Sequence, residues 1–159
     1  MIAVKLIILL RLLVVVSYVD WRDKKIPNGM TLPAIVAGIL LAGPDWRSAA
    51  LDAAAGFLLF FPIALLGLGG MGDAKLSAAV SSLIGFHDAG LAAWLGTVLC
   101  AVMVAAREFR RGRLKNWVRG HFAALAQIRA GIVPEGEKHC FAPYYAACVL
   151  AVLFWRWFP

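Results

Sequence analysis

The sequence has no Cys-x-x-Cys pair, and its three cysteines, Cys100, Cys140 and Cys148, are an odd number set far apart. That spacing excludes a zinc ribbon and a disulfide framework, and leaves the three thiols as small apolar side chains. Neither an internal repeat nor a low-complexity tract is present. His87-Asp88 and His139-Cys140 lack the further ligands that a metal centre needs, so both pairs are expected in loops and no metal or other cofactor is expected. Charged residues make up 16% of 159, and no polar stretch is large enough for a separate soluble domain.

Apolar residues fill that space. The chain is 62% hydrophobic with a mean hydropathy of +0.81. A soluble domain of this length averages about half apolar residues, so the surplus is expected to face lipid. Six apolar runs separate along the sequence, at about 2–19, 28–43, 49–68, 73–86, 90–106 and 141–158, with a polar loop at 107–140. The expected fold is all-α: one polytopic membrane bundle of six transmembrane helices forming a single domain over 1–159. The first run resembles a signal peptide because Lys5 precedes it. Arg11 interrupts it, however, and no small-x-small cleavage site follows, so it reads as a retained span. The apolar cores of the second and fourth runs, 30–42 and 74–86, give roughly 20 Å of helix, short of a ~30 Å hydrocarbon layer. Either their polar flanks extend them or the bundle holds a water-filled notch beside them.

Lysine and arginine set the expected orientation. Loops one and five hold Arg22, Lys24, Lys25, Arg107, Arg110, Arg111, Arg113, Lys115, Arg119, Arg129 and Lys138, whereas the loops of opposite parity hold Arg47 alone. The positive-inside rule then puts the odd-numbered loops in the cytoplasm and both termini outside. The net charge of +7 therefore reads as topology and affinity for anionic lipid rather than for nucleic acid. Within the fifth loop, Trp117, Val118, Phe122, Leu125 and Ile128 recur at helical spacing among basic residues. The segment is either an interfacial amphipathic helix or a solvated basic linker.

Two aspartates follow directly on apolar runs: Asp20 in Val-Asp-Trp-Arg-Asp-Lys-Lys-Ile-Pro-Asn, and Asp73 in Gly-Gly-Met-Gly-Asp-Ala-Lys-Leu. A carboxylate at a membrane boundary is costly to ionise and reads as functional by default. If every run crosses, both lie on the same face; if the short run 30–42 did not cross, they would be on opposite faces. Two adjacent carboxylates cannot both ionise, so one is available to take a proton from water while the other donates one. Gly69, Gly70 and Gly72 allow close backbone approach beside Asp73, which opens the fourth helix, where a plain N-cap role explains the same pattern. Asp23 rivals Asp20, but its neighbours Arg22, Lys24 and Lys25 make a solvated ion pair its expected state. Ile26-Pro27-Asn28-Gly29 is turn chemistry, with Asn28 or Thr31 as a cap for the second helix. Lys75 is expected to point away from Asp73, and Arg11 to pair inside the bundle, with Asp52 as a candidate partner.

Taken together, these segments resemble the prepilin peptidases, membrane-embedded aspartic proteases of bacteria related to archaeal preflagellin peptidases. The resemblance rests on Asp20 with Ile26-Pro27-Asn28 and Thr31, and on Gly70-Met71-Gly72-Asp73-Ala74-Lys75-Leu76 with Gly85. A weaker likeness lies in Pro143-Tyr144-Tyr145-Ala146-Ala147, where tyrosine stands in place of the usual glycine. The resemblance implies a six-span bundle of the bacterial inner membrane that cleaves the basic leader of prepilins on the cytoplasmic side. It assigns Asp20 and Asp73 to the catalytic pair, with Gly70, Gly72, Lys75, Pro27 and Asn28 in supporting positions. The partners it implies are a prepilin substrate, the lipid bilayer and a pilus secretion machinery, with no nucleic acid. Larger members carry Cys-x-x-Cys pairs and N-methylate the new terminus. This sequence has no such pair and looks like the short, peptidase-only type that serves Flp/Tad-like pili. The alternatives are a non-catalytic assembly or ion/proton-transport protein, and a presenilin-like intramembrane protease.

Overall fold

In the first apolar run, Leu9, Leu12, Leu13, Val16 and Asp20 recur every three or four residues, placing them on one side of a helix. The computed structural model, which describes residues 2–66, 69–130 and 140–157, turns that side inward along helix α1 (Ile2–Asp23). Asp20 is the last member of an otherwise apolar buried stripe. Val14, Tyr18 and Trp21 on the opposite side are exposed. Lys24, at a left-handed φ of 50°, ends the helix, and its N–H closes on the Asp20 carbonyl at 2.9 Å.

The remaining elements are helices α2 (Asn28–Leu40), α3 (Trp46–Leu65), α4 (Met71–Ile84), α5 (Phe86–Arg110), α6 (Leu114–Arg129) and α7 (Ala142–Trp157), with a short 3-10 turn at Gly43–Asp45. The described residues contain no strand. Helix α4 occupies the centre and touches α1, α2, α3 and α5. From Ala74 to Leu83, every residue except Lys75 is buried. A helix enclosed on all sides needs small side chains, so that neighbouring backbones can come close. Ser77, Ala78, Ala79, Ser81 and Ser82 supply them. Glycines on the neighbours complete the fit: a Cβ at Gly38 of α2 would lie 2.8 Å from the Ser82 Cβ, and one at Gly56 of α3 would lie 2.8 Å from the Ser77 carbonyl.

Among the described residues three helices are long and apolar enough to cross a membrane: Ile2–Asp23, Gly43–Leu65 with its leading turn, and Phe86–Arg110. Helices α2, α4 and α7 have 13, 14 and 16 residues, or roughly 20–24 Å at 1.5 Å per residue. The shortness of α4 follows from its position, since it is bounded by Gly70 and by Gly85 at φ +91° and meets protein rather than lipid. Outward-facing apolar side chains, among them Leu40, Leu51, Trp94 and Trp155, form the surface that suits lipid contact.

Several expectations change. Phe86 begins α5 instead of closing the fourth run, because the positive φ of Gly85 breaks the helix there. His87 and Asp88 consequently sit in the first helical turn of α5 and not in a loop, with Asp88 taking an ion pair from Arg156 of α7. Arg11 is exposed on the outside of α1, and Asp52 instead approaches the α4–α5 turn at Gly85. Lys138, His139 and the predicted run ends at 68 and 158 lie outside the described residues.

The tight α3–α4 contact predicts that Gly56→Leu lowers stability by about 1–3 kcal/mol through overpacking. Ala54→Leu, on the exposed side of α3, should change it little. Thermal melting in detergent tests this, and equal melting of the two variants would refute it.

Candidate functional site

Asp20 is buried, whereas Asp23, its rival three residues on, is exposed and paired with Arg22 at 2.9 Å. Periodicity alone does not separate them, since 20 and 23 are three residues apart on the same side of α1; the start of α7 covers Asp20, whereas Asp23 is the last residue of the helix. A buried carboxylate needs donors, and α7 provides them from the far end of the chain. The Ala142 N–H donates to Asp20 Oδ2 at 3.0 Å, and the neighbouring Phe141 amide also favours the carboxylate's charge. These are free amides at a helix start, where a negative charge is favoured. The Cys140 thiol donates to the Asp20 carbonyl at 3.4 Å. Burial, reinforced by the Asp20 charge, raises the Cys140 thiol above its ordinary value, so it remains a protonated donor. Phe60 of α3 packs on Phe141, with ring centroids 5.2 Å apart, and Phe141 on Tyr145 at 5.4 Å, which fixes the start of α7.

Asp73 is held by its own helix. It is the third residue after the N-cap Gly70, and the Gly70 N–H donates to its Oδ2 at 3.2 Å while the Asp73 N–H returns to the Gly70 carbonyl at 3.0 Å. This is the reach-back half of a capping box. Gly72 has a separate function. A Cβ there would lie 2.8 Å from the Ile26 Cβ, so glycine is what lets the loop after α1 press onto the first turn of α4.

The same loop makes a second contact. Lys75 Nζ donates to Asn28 Oδ1 at 2.7 Å, joining the first turn of α4 to the first turn of α2. Asn28 is thereby committed and does not cap its helix; Pro27 occupies the N-cap position with no side-chain bond. Thr31, the other expected cap, is fully buried.

These contacts bring the end of α1 and the start of α4 together. The loop that follows Asp20 thus lies on the helical turn that carries Asp73, which places the two carboxylates at one end of the bundle, near Cys100 of α5. Cys100 in turn donates to the Cys140 carbonyl at 3.8 Å. Sequence reasoning missed Cys100, Cys140 and the Phe141–Ala142 amides. The one available signal was that an apolar run begins at Phe141, because a helix start leaves amides in need of an acceptor. Among the described residues no three His, Cys, Asp or Glu side chains converge as metal ligands. Chemically, the arrangement offers two carboxylates at one end of the bundle, each fixed by backbone amides, at a boundary between buried and exposed surface.

Proline is tolerated at the first position of a helix, so Ala142→Pro removes one donor to Asp20, with a packing cost at this buried position that is common to both backgrounds below. It should destabilise the protein by about 1–2 kcal/mol. In an Asp20→Ala background the same substitution should cost less, by about the value of the lost bond. Detergent melting of the four proteins measures the coupling, and equal losses in both backgrounds would dismiss the bond as a structural element.

Residues 7–106 match the family described as the type IV leader peptidase family. The chain is also similar to the prepilin leader peptidase/N-methyltransferase of Bacillus subtilis, at 33% identity over 114 residues, which is 68% of this chain and 46% of that protein. It thus spans about half the length of that curated relative. No solved structure matches it.

Proposed function

We propose that this chain, which belongs to the type IV leader peptidase family, is an aspartic endopeptidase that removes the basic leader from Flp-like prepilins, with Asp20 and Asp73 as its catalytic pair. The observation that carries the reading is that Asp20 and Asp73, each bonded by a backbone amide, lie at the same end of the bundle, where the loop after α1 packs onto the first turn of α4. Repulsion at short range keeps one carboxyl protonated while the other is ionised. The ionised carboxylate takes a proton from water as the oxygen attacks the scissile carbonyl carbon. The neutral acid donates a hydrogen bond to the carbonyl oxygen, and the pair then protonates the departing amine as the C–N bond breaks.

The supporting residues divide by what they touch. Gly70 binds the Asp73 carboxylate directly. Gly72, Pro27, Asn28 and Lys75 hold the loop after α1 against α4. The proposed setting is the bacterial inner membrane, with six spans, the pair on the cytoplasmic face and both termini outside. The three long apolar helices and the basic composition of the polar segments support it. The short helices α2, α4 and α7 complete the six. They leave a thinner, wetter zone beside the aspartates, through which water and a peptide segment reach them.

Co-expression with candidate prepilins, read by the mobility shift of leader removal, tests the activity. Asp20→Asn and Asp73→Asn should each lower cleavage at least about a hundredfold while the protein still inserts. Asp23→Asn, in the exposed ion pair, should retain it. Near-normal cleavage by either member of the pair would reject the assignment.

A further inference from the structure

Helix α6 stands apart from the bundle in a way that neither the fold nor the proposed chemistry uses. The corner leading to it is built, not slack. Glu108, buried near the end of α5, is held by Arg113 at 3.2 Å and by Arg111 at 3.7 Å. The Arg113 N–H closes on the Glu108 carbonyl at 2.9 Å, and Gly112 takes the positive φ of 68° that the turn requires. The corner therefore gives α6 a defined departure from a helix long enough to cross a membrane.

Along α6, Leu114, Trp117, Val118, Phe122 and Ile128 follow one another at helical spacing. Phe122 is nevertheless 68% exposed and Val118 39% exposed. Leu114, Val118 and Phe122 line a shallow groove flanked by Lys115 and Arg119. Glu108 is the sole acid between residues 107 and 129, and Arg111 and Arg113 already neutralise it. Arg107, Arg110, Lys115, Arg119 and Arg129 make no ion pair with any described acid. An apolar stripe bordered by unpaired cations, at the end of a candidate span, complements one surface above all: a leaflet rich in anionic phospholipid.

We propose that α6 is a lipid-docking element, with Val118 and Phe122 seated among the acyl chains and Lys115, Arg119 and Arg129 on anionic headgroups. The occupant is the membrane, not the substrate.

The test is hydrogen–deuterium exchange of the peptide covering 114–129 in the full-length protein. The protein is reconstituted in nanodiscs of phosphatidylcholine or of phosphatidylglycerol-rich lipid. Exchange should slow at least about fivefold in the anionic lipid, and high salt should reverse much of the effect. The K115E/R119E double variant should exchange like the wild type in phosphatidylcholine, which reports that α6 still folds, and should show no slowing in phosphatidylglycerol. Equal exchange in the two lipids would overturn the proposal, as would protection retained in the double variant or protection that needs an added prepilin peptide. Asp73→Asn should leave the lipid effect unchanged, so this result and the fate of the peptidase assignment are read separately.

Discussion

A carboxylate at the edge of a low-dielectric layer must be met by donors, and in this protein the donors are helix starts. Asp20 ends one helix and takes the amides that begin another, more than a hundred residues away, through the Ala142 bond at 3.0 Å. Asp73 takes the amide of its own N-cap at 3.2 Å. Because unpaired helix amides and unpaired carboxylates are both costly when buried, each solves the other's problem. The site and the fold therefore share the same bonds. The start of α7 is fixed by Asp20, and the start of α4 is shaped around Asp73.

The central position of α4 follows from this constraint. For Asp73 to reach the neighbourhood of Asp20, the first turn of α4 must be approached closely by the loop after α1, and Gly72 permits that contact with Ile26. Further along, small residues on α4 and the facing Gly38 and Gly56 keep three backbones close enough for the helix to remain enclosed. Lys75 closes the arrangement laterally through Asn28. The sequence motif around Asp73 is thus mostly a packing device: two glycines and a lysine set where one carboxylate sits.

Much of this is legible in the sequence, for identifiable reasons. Asp20 and Asp73 stand out because charges beside long apolar runs are rare, and Asp20 outranks Asp23 because it directly ends its run whereas Asp23 sits among Arg22, Lys24 and Lys25. The glycines before Asp73 announce a close approach, although not that Ile26 is what approaches. Other features depend on tertiary contact and leave no local trace. Nothing near Cys140 indicates that its thiol and the Ala142 amide bind Asp20. Arg11 looks set to pair inside the bundle, yet its place on the outward side of α1 turns it away from the core. The break at Gly85 is invisible to hydropathy because the residues on both sides are apolar; only its positive φ separates Ile84 from Phe86.

The most direct measurement is proximity of the two aspartate positions in the membrane. With Cys100, Cys140 and Cys148 replaced by alanine, Asp20→Cys and Asp73→Cys are introduced together and treated with a short bifunctional thiol reagent in native membranes. The account predicts efficient intramolecular cross-linking of this pair and none when Ala54→Cys, on the exposed face of α3, replaces Asp73→Cys. Absence of the 20–73 cross-link, with both thiols shown to be reactive, would contradict the shared site on which the account depends.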